Sequence, residues 1–544
     1  MYHNFAEPEL TTGKIGAQMP RGFLLKMGYM TLNTQAITPP WPCSDNVARR
    51  RAGCLTGMLP LLAILSASAA QAQFTLATNN NAIEIASYTG PGGAVVIPSI
   101  TNGLPVTSIG QYAFYFATNL TAVTIPDSIT SIGTYAFENT TGLTSVTIPG
   151  SVTNIGTEAF LSCTGLTNVT FSNGTPSIGI GAFESCSKLT GPTFPDSITN
   201  IGADAFAFCK AVTNVAIPSG VSGIGQGAFA ECTSLTSILV DSSNSTYSSF
   251  AGVLFDKSQT TLIQCPGGAF GSYVVPVDIT NIGASAFFGC TSLTNITIPI
   301  SVTSIGNVAF GDCFGLTNVT IPAGVTTIGI SPFYDCVNLA SISVDSNNSA
   351  YCSVAGVLFN KNQTTLVESP ATVGGNYAIP ESVTSLGQSA FFGCSNLTSV
   401  AIPTGVTNLG EYAFGFCSNL TGIYFQGGPP TLSNDSLVFD FDSIVTIYYL
   451  PGTTGWRAIF DGQPTVLWNP LIQTSATSFG VRTNQFGFNI ASSNNLVIVV
   501  EACTNLSHPF WQPISTNTIA GGSYYFSDSY WTNYSSRFYR LSFP

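Results

Sequence analysis

The apolar positions along the chain follow a 23-residue period, set by phenylalanines such as Phe114, Phe137 and Phe160. Within residues 131–153, Val146 and Ile148 alternate with polar residues, and a proline follows. This alternation predicts a short strand with one buried face, which the proline ends. Eleven units of this kind can be aligned on a phenylalanine, at Phe114, Phe137, Phe160, Phe183, Phe206, Phe229, Phe287, Phe310, Phe333, Phe391 and Phe414.

The rest of each unit predicts how the chain returns to the next strand. Gly133 supplies a turn, and the segment TYAFENT is long enough for only one or two helical or 3₁₀ turns that place Ala136 and Phe137 in the core. No unit can bury its own apolar edge, but stacked units bury one another's edges. We therefore expect a repeat solenoid that is mainly β with short 3₁₀ or helical turns.

Two insertions interrupt the period. The step between successive repeat phenylalanines lengthens twice, from Phe229 to Phe287 and from Phe333 to Phe391, because extra segments are inserted at 246–280 and at 350–384. The two insertions also match each other, so residues 223–326 and 327–430 form a 104-residue repeat used twice. An internal duplication is the simplest origin of this arrangement.

The motif SIGxxAFxxCxxLTxVxIPxSVT resembles the BspA-type, or Treponema pallidum-type, leucine-rich repeat of bacterial surface proteins. The resemblance covers residues 74 to about 468, with an entry segment at 74–107 and a closing coil at 431–468. It implies a secreted or cell-surface, non-enzymatic protein that binds extracellular proteins or polysaccharides. The fourth unit departs from the motif because Pro192 takes the valine position, which makes strand pairing there doubtful.

Residues 1–72 read as a leader and signal peptide. Three arginines at 49–51 precede the apolar run GCLTGMLPLLAILSASAA, which ends in Ala70-Gln71-Ala72. This small-x-small exit predicts cleavage after Ala72 and a mature chain that begins at Gln73. The run is too short to favour a membrane anchor, and we expect no transmembrane segment in the mature chain.

The charge of the chain indicates which partners are not expected. Only 7% of the residues are charged, against about 25% in typical soluble domains. Residues 1–72 hold six of the 14 basic and three of the 26 acidic residues, so the mature chain carries a net charge of −15. A chain this acidic offers no basic patch for phosphate groups, so nucleic acid is not an expected partner.

Nine of the 14 cysteines stand three positions after a repeat phenylalanine, at Cys163, Cys186, Cys209, Cys232, Cys290, Cys313, Cys336, Cys394 and Cys417. Cysteines in one column of parallel coils point the same way, and the first two units carry Ala117 and Thr140 there. We expect small, buried, reduced side chains rather than disulfides. A metal ladder is a weaker interpretation because no histidine accompanies the column.

Catalytic candidates are few, and no enzyme activity, metal or cofactor is expected. His508 is the one histidine after the leader, and it precedes Pro509 in a terminal segment. Asp440 and Asp442 occupy alternating positions, but nothing else assembles a glycosidase site around them. We interpret both carboxylates as solvated cap residues.

The 23-residue period stops after Pro470, and residues 471–544 read as a small all-β module. The stretch VVEACTNLSHPFWQP, with RFYRLSFP at the end, resembles a C-terminal module of secreted proteins of Verrucomicrobia-like bacteria. The expected organisation is 1–72 leader, 73–107 N-terminal cap, 108–430 solenoid with its two insertions, 431–470 C-terminal cap and 471–544 module.

The outward strand positions are the expected binding surface. They form two columns of small, uncharged side chains, and the candidate residues are Thr124, Ser145, Thr147, Asn168, Thr170, Asn295, Thr297, Asn318, Thr320 and Tyr424. Leu239, Tyr247 and Tyr351 are expected to interrupt this surface. The favoured function is a secreted or cell-surface binding scaffold. The alternative is a structural or ice-binding-like threonine ladder without a specific macromolecular partner.

Overall fold

The structure, a computed structural model, describes residues 73–268, 270–432, 437–440, 445–475, 477–492, 496–519 and 522–542. The leader, the signal peptide and the predicted cleavage site before Gln73 lie outside these residues. Within the part of the chain that the structure describes, no helix has the length and hydropathy needed to span a bilayer.

The first part of the solenoid is a series of coils that each contribute one strand to a face and one short strand to the opposite flank. Facing residues on neighbouring coils are one period apart, as in the parallel pairs Val146↔Val169 and Ile132↔Ile155. The strands are β1 (Phe74–Asn79), β2 (Ala82–Tyr88), β3 (Gly93–Val96), β4 (Ile100–Thr101), β5 (Leu104–Ile109), β6 (Leu120–Thr124), β7 (Ser131–Ile132), β8 (Ser145–Ile148), β9 (Asn154–Ile155), β10 (Asn168–Phe171), β11 (Ser177–Ile178), β12 (Asn200–Ile201), β13 (Asn214–Ile217), β14 (Gly223–Ile224) and β15 (Ser237–Val240).

The second part of the solenoid contains both insertions and the closing coils. The strands are β16 (Tyr247–Phe250), β17 (Val253–Asp256), β18 (Thr261–Gln264), β19 (Phe270–Val274), β20 (Asn281–Ile282), β21 (Ser292–Thr297), β22 (Ser304–Ile305), β23 (Asn318–Ile321), β24 (Thr327–Ile328), β25 (Ser341–Val344), β26 (Tyr351–Val354), β27 (Val357–Asn360), β28 (Thr365–Glu368), β29 (Gly375–Ala378), β30 (Ser385–Leu386), β31 (Leu397–Ile402), β32 (Gly422–Phe425), β33 (Thr446–Tyr449), β34 (Ile459–Phe460) and β35 (Gln463–Leu467).

Each insertion is an antiparallel hairpin followed by an ordinary coil. In the first, β16 pairs with β17 and β17 with β18, and then β18 and β19 rejoin the parallel ladders through β20 and β21. The second repeats this pairing with β26 to β31. The parallel ladder continues through β31, β32, β33 and β35 to Leu467.

The C-terminal segment is all β apart from a 3₁₀ helix at Trp531–Asn533. Its strands pair antiparallel in two small sheets, β36-β38-β37 with β41 beside β38, and β40-β39-β42. The strands are β36 (Leu471–Gln473), β37 (Phe479–Arg482), β38 (Gln485–Ala491), β39 (Leu496–Cys503), β40 (Gln512–Ile519), β41 (Ser523–Asp528) and β42 (Phe538–Ser542).

A column of stacked phenylalanines runs through the core. The ring centroids of Phe137 and Phe160 are 4.8 Å apart with an interplanar angle of 1°, so one ring occupies each coil. The repeat phenylalanines are at most 3% exposed. The fold is therefore the expected repeat solenoid, in which each coil buries the apolar edge of the next one.

The segment TYAFENT forms tight turns rather than a continuous helix. Its N–H groups alternate between an acceptor earlier in the same turn and the next coil, as Glu138 N donates to Tyr135 O and Phe137 N to Ala159 O. Tyr135 and Asn139 adopt the left-handed region, with φ of 57° and 56°. This alternation satisfies the backbone both within and between coils.

The departure at Pro192 has the expected consequence. Pro192 has no N–H to donate to a ladder, and on the parallel face the fourth unit contributes an isolated bridge between Thr170 and Thr193 in place of a strand. The three-strand flank β11-β12-β14 remains paired across the same coil, so the stacking of coils is not broken.

Candidate binding face

The predicted outward columns lie on successive coils of the parallel face. Asn168 stands opposite Ser145, and Thr170 stands opposite Thr147. Because the buried residues of each strand alternate with these positions, both columns point away from the core. Nine candidates are exposed and are called here the open face: Thr124, Ser145, Thr147, Asn168, Thr170, Asn295, Thr297, Asn318 and Thr320.

The hydroxyl groups of this protein fall into two kinds. One kind ties the coils together: Thr167 Oγ1 donates to Thr144 O at 3.0 Å, and Thr153 Oγ1 donates to Thr130 O at 3.2 Å. The open face belongs to the other kind, because Thr170 accepts from Asn168 Nδ2 within its own strand at 3.3 Å. The threonines of the open face are therefore not part of the coil-to-coil ladder.

Tyr424 corrects the expectation that all ten candidates are on the surface. Its side chain is 1% exposed and stacks on Tyr448, with ring centroids 4.8 Å apart. Both rings pack with Trp468 and Phe488 in one apolar cluster. The C-terminal module covers the outward side of β32 and β33, and this is why the column changes there from small polar residues to aromatic ones.

Contact between the solenoid and the module is also polar. Trp468, which follows the last solenoid strand, donates from Nε1 to Val497 O on β39 at 3.3 Å. Burial raises the pKa of the Tyr448 hydroxyl, as expected for a phenol removed from water. The covered end of the face is thus an interface within this chain.

The insertions differ from the prediction at their tyrosines. Tyr247 is buried, and its hydroxyl accepts from Ile224 N at 2.8 Å, while Tyr351 accepts from Ile328 N at 2.9 Å. Neither tyrosine interrupts the surface, because each hairpin folds back and its tyrosine hydroxyl accepts a hydrogen bond from a backbone N–H of the preceding coil. Leu239 is 57% exposed, as expected, and Phe250 at the hairpin tip is 64% exposed. The exposure of Phe250 was not predicted, although it follows the period-2 pattern of β16.

The nine cysteines of the column are buried, as predicted. Each thiol is also a donor: Cys163 Sγ donates to Phe137 O in the previous coil at 3.1 Å, and Cys209 Sγ to Phe183 O at 3.2 Å. Thr140 makes the same bond to Phe114 O at 3.0 Å. From the second unit onward, the column therefore holds a small side chain that donates a hydrogen bond, whereas the first unit has Ala117 there.

Burial keeps the thiols of Cys232 and Cys394 protonated at neutral pH. Removal from water raises the pKa of Cys232 to about 12, and the same cause raises the pKa of Cys394 to about 12. The thiolate is the nucleophile and the metal ligand, so a raised pKa disfavours both chemistries at Cys232 and Cys394 at neutral pH. No group of three or more His, Cys, Asp or Glu suited to a metal occurs among the described residues.

The residues considered for catalysis lie in different parts of the chain. Asp440 follows the buried Phe439 in a turn, and Asp442 lies outside the described residues. His508 is exposed in the loop between β39 and β40 of the module. A buried carboxyl group at Glu368 was missed by the sequence analysis. Its oxygens accept from Phe333 N at 3.2 and 3.3 Å. Desolvation raises the pKa of this group to about 8.

Three solved bacterial proteins resemble this chain. A leucine rich cell surface protein from Faecalibacterium prausnitzii is 27% identical, over 65% of this chain and 93% of that one, with a TM-score of 0.40. A leucine-rich repeat protein from Eubacterium ventriosum is 24% identical over 65% and 87%, with a TM-score of 0.42. The T. pallidum leucine rich repeat protein is 25% identical over 49% and 88%, with a TM-score of 0.27. No curated protein sequence matches the chain.

The sequence matches the family described as the BspA type leucine rich repeat region in six copies, over residues 95–212, 160–267, 267–373 and 375–453. These matches span more than half of the chain and coincide with the stacked coils. The chain belongs to the BspA-type leucine-rich repeat family.

Proposed function

We propose that this protein is a secreted or cell-surface binding scaffold whose open face captures an extracellular protein or polysaccharide. One observation carries the proposal: nine small, uncharged, hydrogen-bonding side chains are exposed on strands of the parallel face, and four of them stand opposite one another on β8 and β10. Hydroxyl and amide groups both donate and accept hydrogen bonds, which suits a hydroxyl-rich, extended partner. The nine side chains of the open face carry no charge that could steer a charged partner.

The alternative, a regular threonine ladder without a specific partner, is less well supported. Such a surface needs the same side chain in every coil. Here the threonine column passes through Ala216 and Leu239 in β13 and β15 before it returns to threonine at Thr297. The interruptions are more in keeping with recognition of a particular partner than with a uniform lattice.

The proposed organisation follows the sequence analysis. Residues 1–72 are removed on export, 73–107 and 431–470 cap the solenoid of 108–430, and 471–544 form the module. N-terminal sequencing of protein from culture supernatant or envelope is expected to begin at Gln73. Retention of residues 50–72 would contradict export by a cleaved signal.

A glycan and protein array probed with the purified mature chain tests the function. The proposal expects capture of a neutral polysaccharide or an extended protein segment, and competition by the same ligand in solution. The chain with Thr147, Thr170, Thr297 and Thr320 all replaced by lysine is expected to lose that capture. Failure of the wild-type chain to bind any neutral glycan or protein would contradict the proposal.

A further inference from the structure

The C-terminal module contains a cavity that none of the features above explains. It has a volume of about 350 Å³ and lies where β39 ends, between the loop after Cys503, the start of β40 and the segment before β42. This site is separate from the open face of the solenoid.

A preorganised arginine forms one wall of this cavity. Arg537 Nε lies 2.6 Å from Asp528 Oδ2, and the side chains of the two residues are only 12% and 4% exposed. The Arg537 guanidinium also stands over the Tyr534 ring, with Cζ 4.1 Å from the centroid. The Nε atom is buried, so the terminal N–H groups, which also interact with the side chains of Tyr534 and Tyr539, are the part of the guanidinium that can meet a ligand in a fixed orientation.

Asp528 is committed to holding that arginine in place. Its Oδ1 accepts from Tyr530 N at 2.8 Å, and its Oδ2 accepts from the Tyr539 hydroxyl at 3.0 Å. Asp528 does not line the cavity, and no other Asp or Glu is among the described residues that line it. The carboxylate that pairs with the guanidinium therefore lies outside the cavity lining.

The rest of the lining suits a sugar ring. Phe510 is 74% exposed and Tyr534 is 43% exposed, and both line the cavity. One face of the Tyr534 ring lies against Arg537, so Phe510 and the remaining surface of Tyr534 are available to the apolar face of a pyranose. Asn505 and Gln512 contribute planar amides. Asn505 Oδ1 already accepts from Ser507 N at 2.9 Å, so its amide N–H groups are the part left to meet hydroxyls.

We propose that this cavity binds a saccharide that carries a carboxylate, with Arg537 as the carboxylate receptor and Phe510 and Tyr534 against the ring. His508, which also lines the cavity, lies beside the bound ligand. The module thereby recognises an acidic glycan, whereas the open face of the solenoid suits neutral partners. The two sites are chemically different and can be tested separately.

Isothermal titration of the full chain with trigalacturonate tests the proposal against two other probes. Neutral galactotriose lacks the carboxylate, and an N-acetylated tripeptide with a free C-terminus supplies a carboxylate without sugar rings. Loss of a charge-assisted fork is worth about tenfold or more in affinity, so trigalacturonate is expected to bind at least that much more tightly than either probe.

Two variants and one control assign the binding to the cavity. Arg537→Gln is expected to weaken trigalacturonate binding about tenfold or more, and Phe510→Ala about three- to tenfold, because an aromatic contact is worth less than the ion pair. Arg482→Gln is the matched control, since Arg482 stands over Tyr525 in the same module and does not line the cavity. Phe510 is mostly exposed, so its variant remains informative if Arg537→Gln does not fold.

Each outcome decides the proposal. Selective binding of trigalacturonate that both cavity variants weaken and Arg482→Gln leaves unchanged supports it. Absence of binding, equal affinity for galactotriose or the tripeptide, or an unaltered Phe510→Ala titration would overturn it.

Discussion

The two copies of the 104-residue repeat share the same buried turn contacts and differ at outward positions. In the first copy, the buried Asn244 donates from Nδ2 to Pro218 O at 2.9 Å and to Val221 O at 2.8 Å. In the second, Asn348 donates to Pro322 O and Val325 O, both at 2.8 Å. The same amide thus closes the same turn in both copies, because an unsatisfied buried backbone carbonyl would be costly.

The outward positions of the two copies have diverged. Leu239 in β15 corresponds to Ser343 in β25, and Phe250 at the first hairpin tip corresponds to Val354 at the second. Packing does not restrain these positions, since Leu239 and Phe250 are more than half exposed. The comparison teaches that coil stacking fixes the interior and leaves the outer surface free to acquire different partners.

Several buried positions also differ between the copies, and one of them exchanges an amide for a carboxyl group. Gln264 in the first copy is replaced by Glu368 in the second, and both are buried. Gln264 Nε2 donates to Cys265 O at 3.3 Å and to Ser285 O at 3.4 Å, whereas the Glu368 carboxylate accepts from Phe333 N. The two copies should therefore respond differently to pH.

The largest expected effect is shared by both copies. Phe287→Ala and Phe391→Ala each remove a fully buried ring from the phenylalanine column, and each should lower the free energy of unfolding by roughly 3 to 5 kcal/mol. Urea denaturation followed by circular dichroism measures this, with the exposed Leu239→Ala as control. A difference of more than about 2 kcal/mol between the two phenylalanine variants would contradict equivalent interiors.

The pH dependence separates the copies. The unfolded pKa of Glu368 is about 4.5 and the folded pKa about 8, so between these values the folded state keeps a proton that the unfolded state releases. Stability consequently falls as pH rises, by up to about 1.4 kcal/mol per pH unit. The destabilisation caused by ionised Glu368 is absent below pH 4.5 and complete above pH 8.

Glu368→Gln should abolish that slope and make the chain more stable at pH 8 than the wild type, by a few kcal/mol. Gln264→Glu is the matched variant and should install a second slope of the same sign in the first copy. Thermal unfolding of all three chains from pH 4 to pH 9 provides the comparison. Parallel curves for wild type and Glu368→Gln would show that the carboxylate is not titrating in the core.

Substitutions in the cysteine column should lower the free energy of unfolding by a smaller amount, which is again the same in both copies. Cys290→Ala and Cys394→Ala remove a thiol of modest volume and one weak hydrogen bond, so each should cost about 1 kcal/mol. Cys163→Thr should be tolerated better than Cys163→Ala, because Thr140 already makes the equivalent bond. Alkylation of the denatured, non-reduced chain should label all nine column thiols by mass spectrometry, and bridges between neighbouring coils would refute the packing account.

The smallest effect on stability is expected where the copies differ most. Replacing Leu239 by Ser and Phe250 by Val gives the first copy the outer residues of the second, and this should change the free energy of unfolding by less than about 0.5 kcal/mol. Denaturation curves measure it beside the array profile. A large destabilisation would mean that these exposed side chains hold the insertion in place.

The 23-residue period of the sequence predicted the structural features that recur in the coils. The strand, its buried face and the cysteine column recur with the 23-residue period, so each coil restates the same pattern. Tyr424 was wrongly assigned to the surface because its environment depends on a module outside the repeat. Tyr247 was misassigned because its hydroxyl reaches back to Ile224, a contact that no local pattern encodes. The module cavity was missed for the same reason, since Arg537 and Phe510 meet only after the strands pair.

The most direct test of the open face compares the affinity of three chains for the ligand found by the array. The wild type is compared with the variant in which Thr147, Thr170, Thr297 and Thr320 are lysine. The control carries lysine at four exposed positions in the turn after the cysteine column, outside the face: Thr141, Thr164, Ser395 and Ser418. Both variants gain the same charge, so their comparison separates position from net charge. The account predicts that the face variant loses at least about tenfold in affinity while the control stays near wild type. Equal affinity of the folded face variant and the control would contradict the assignment of binding to the open face.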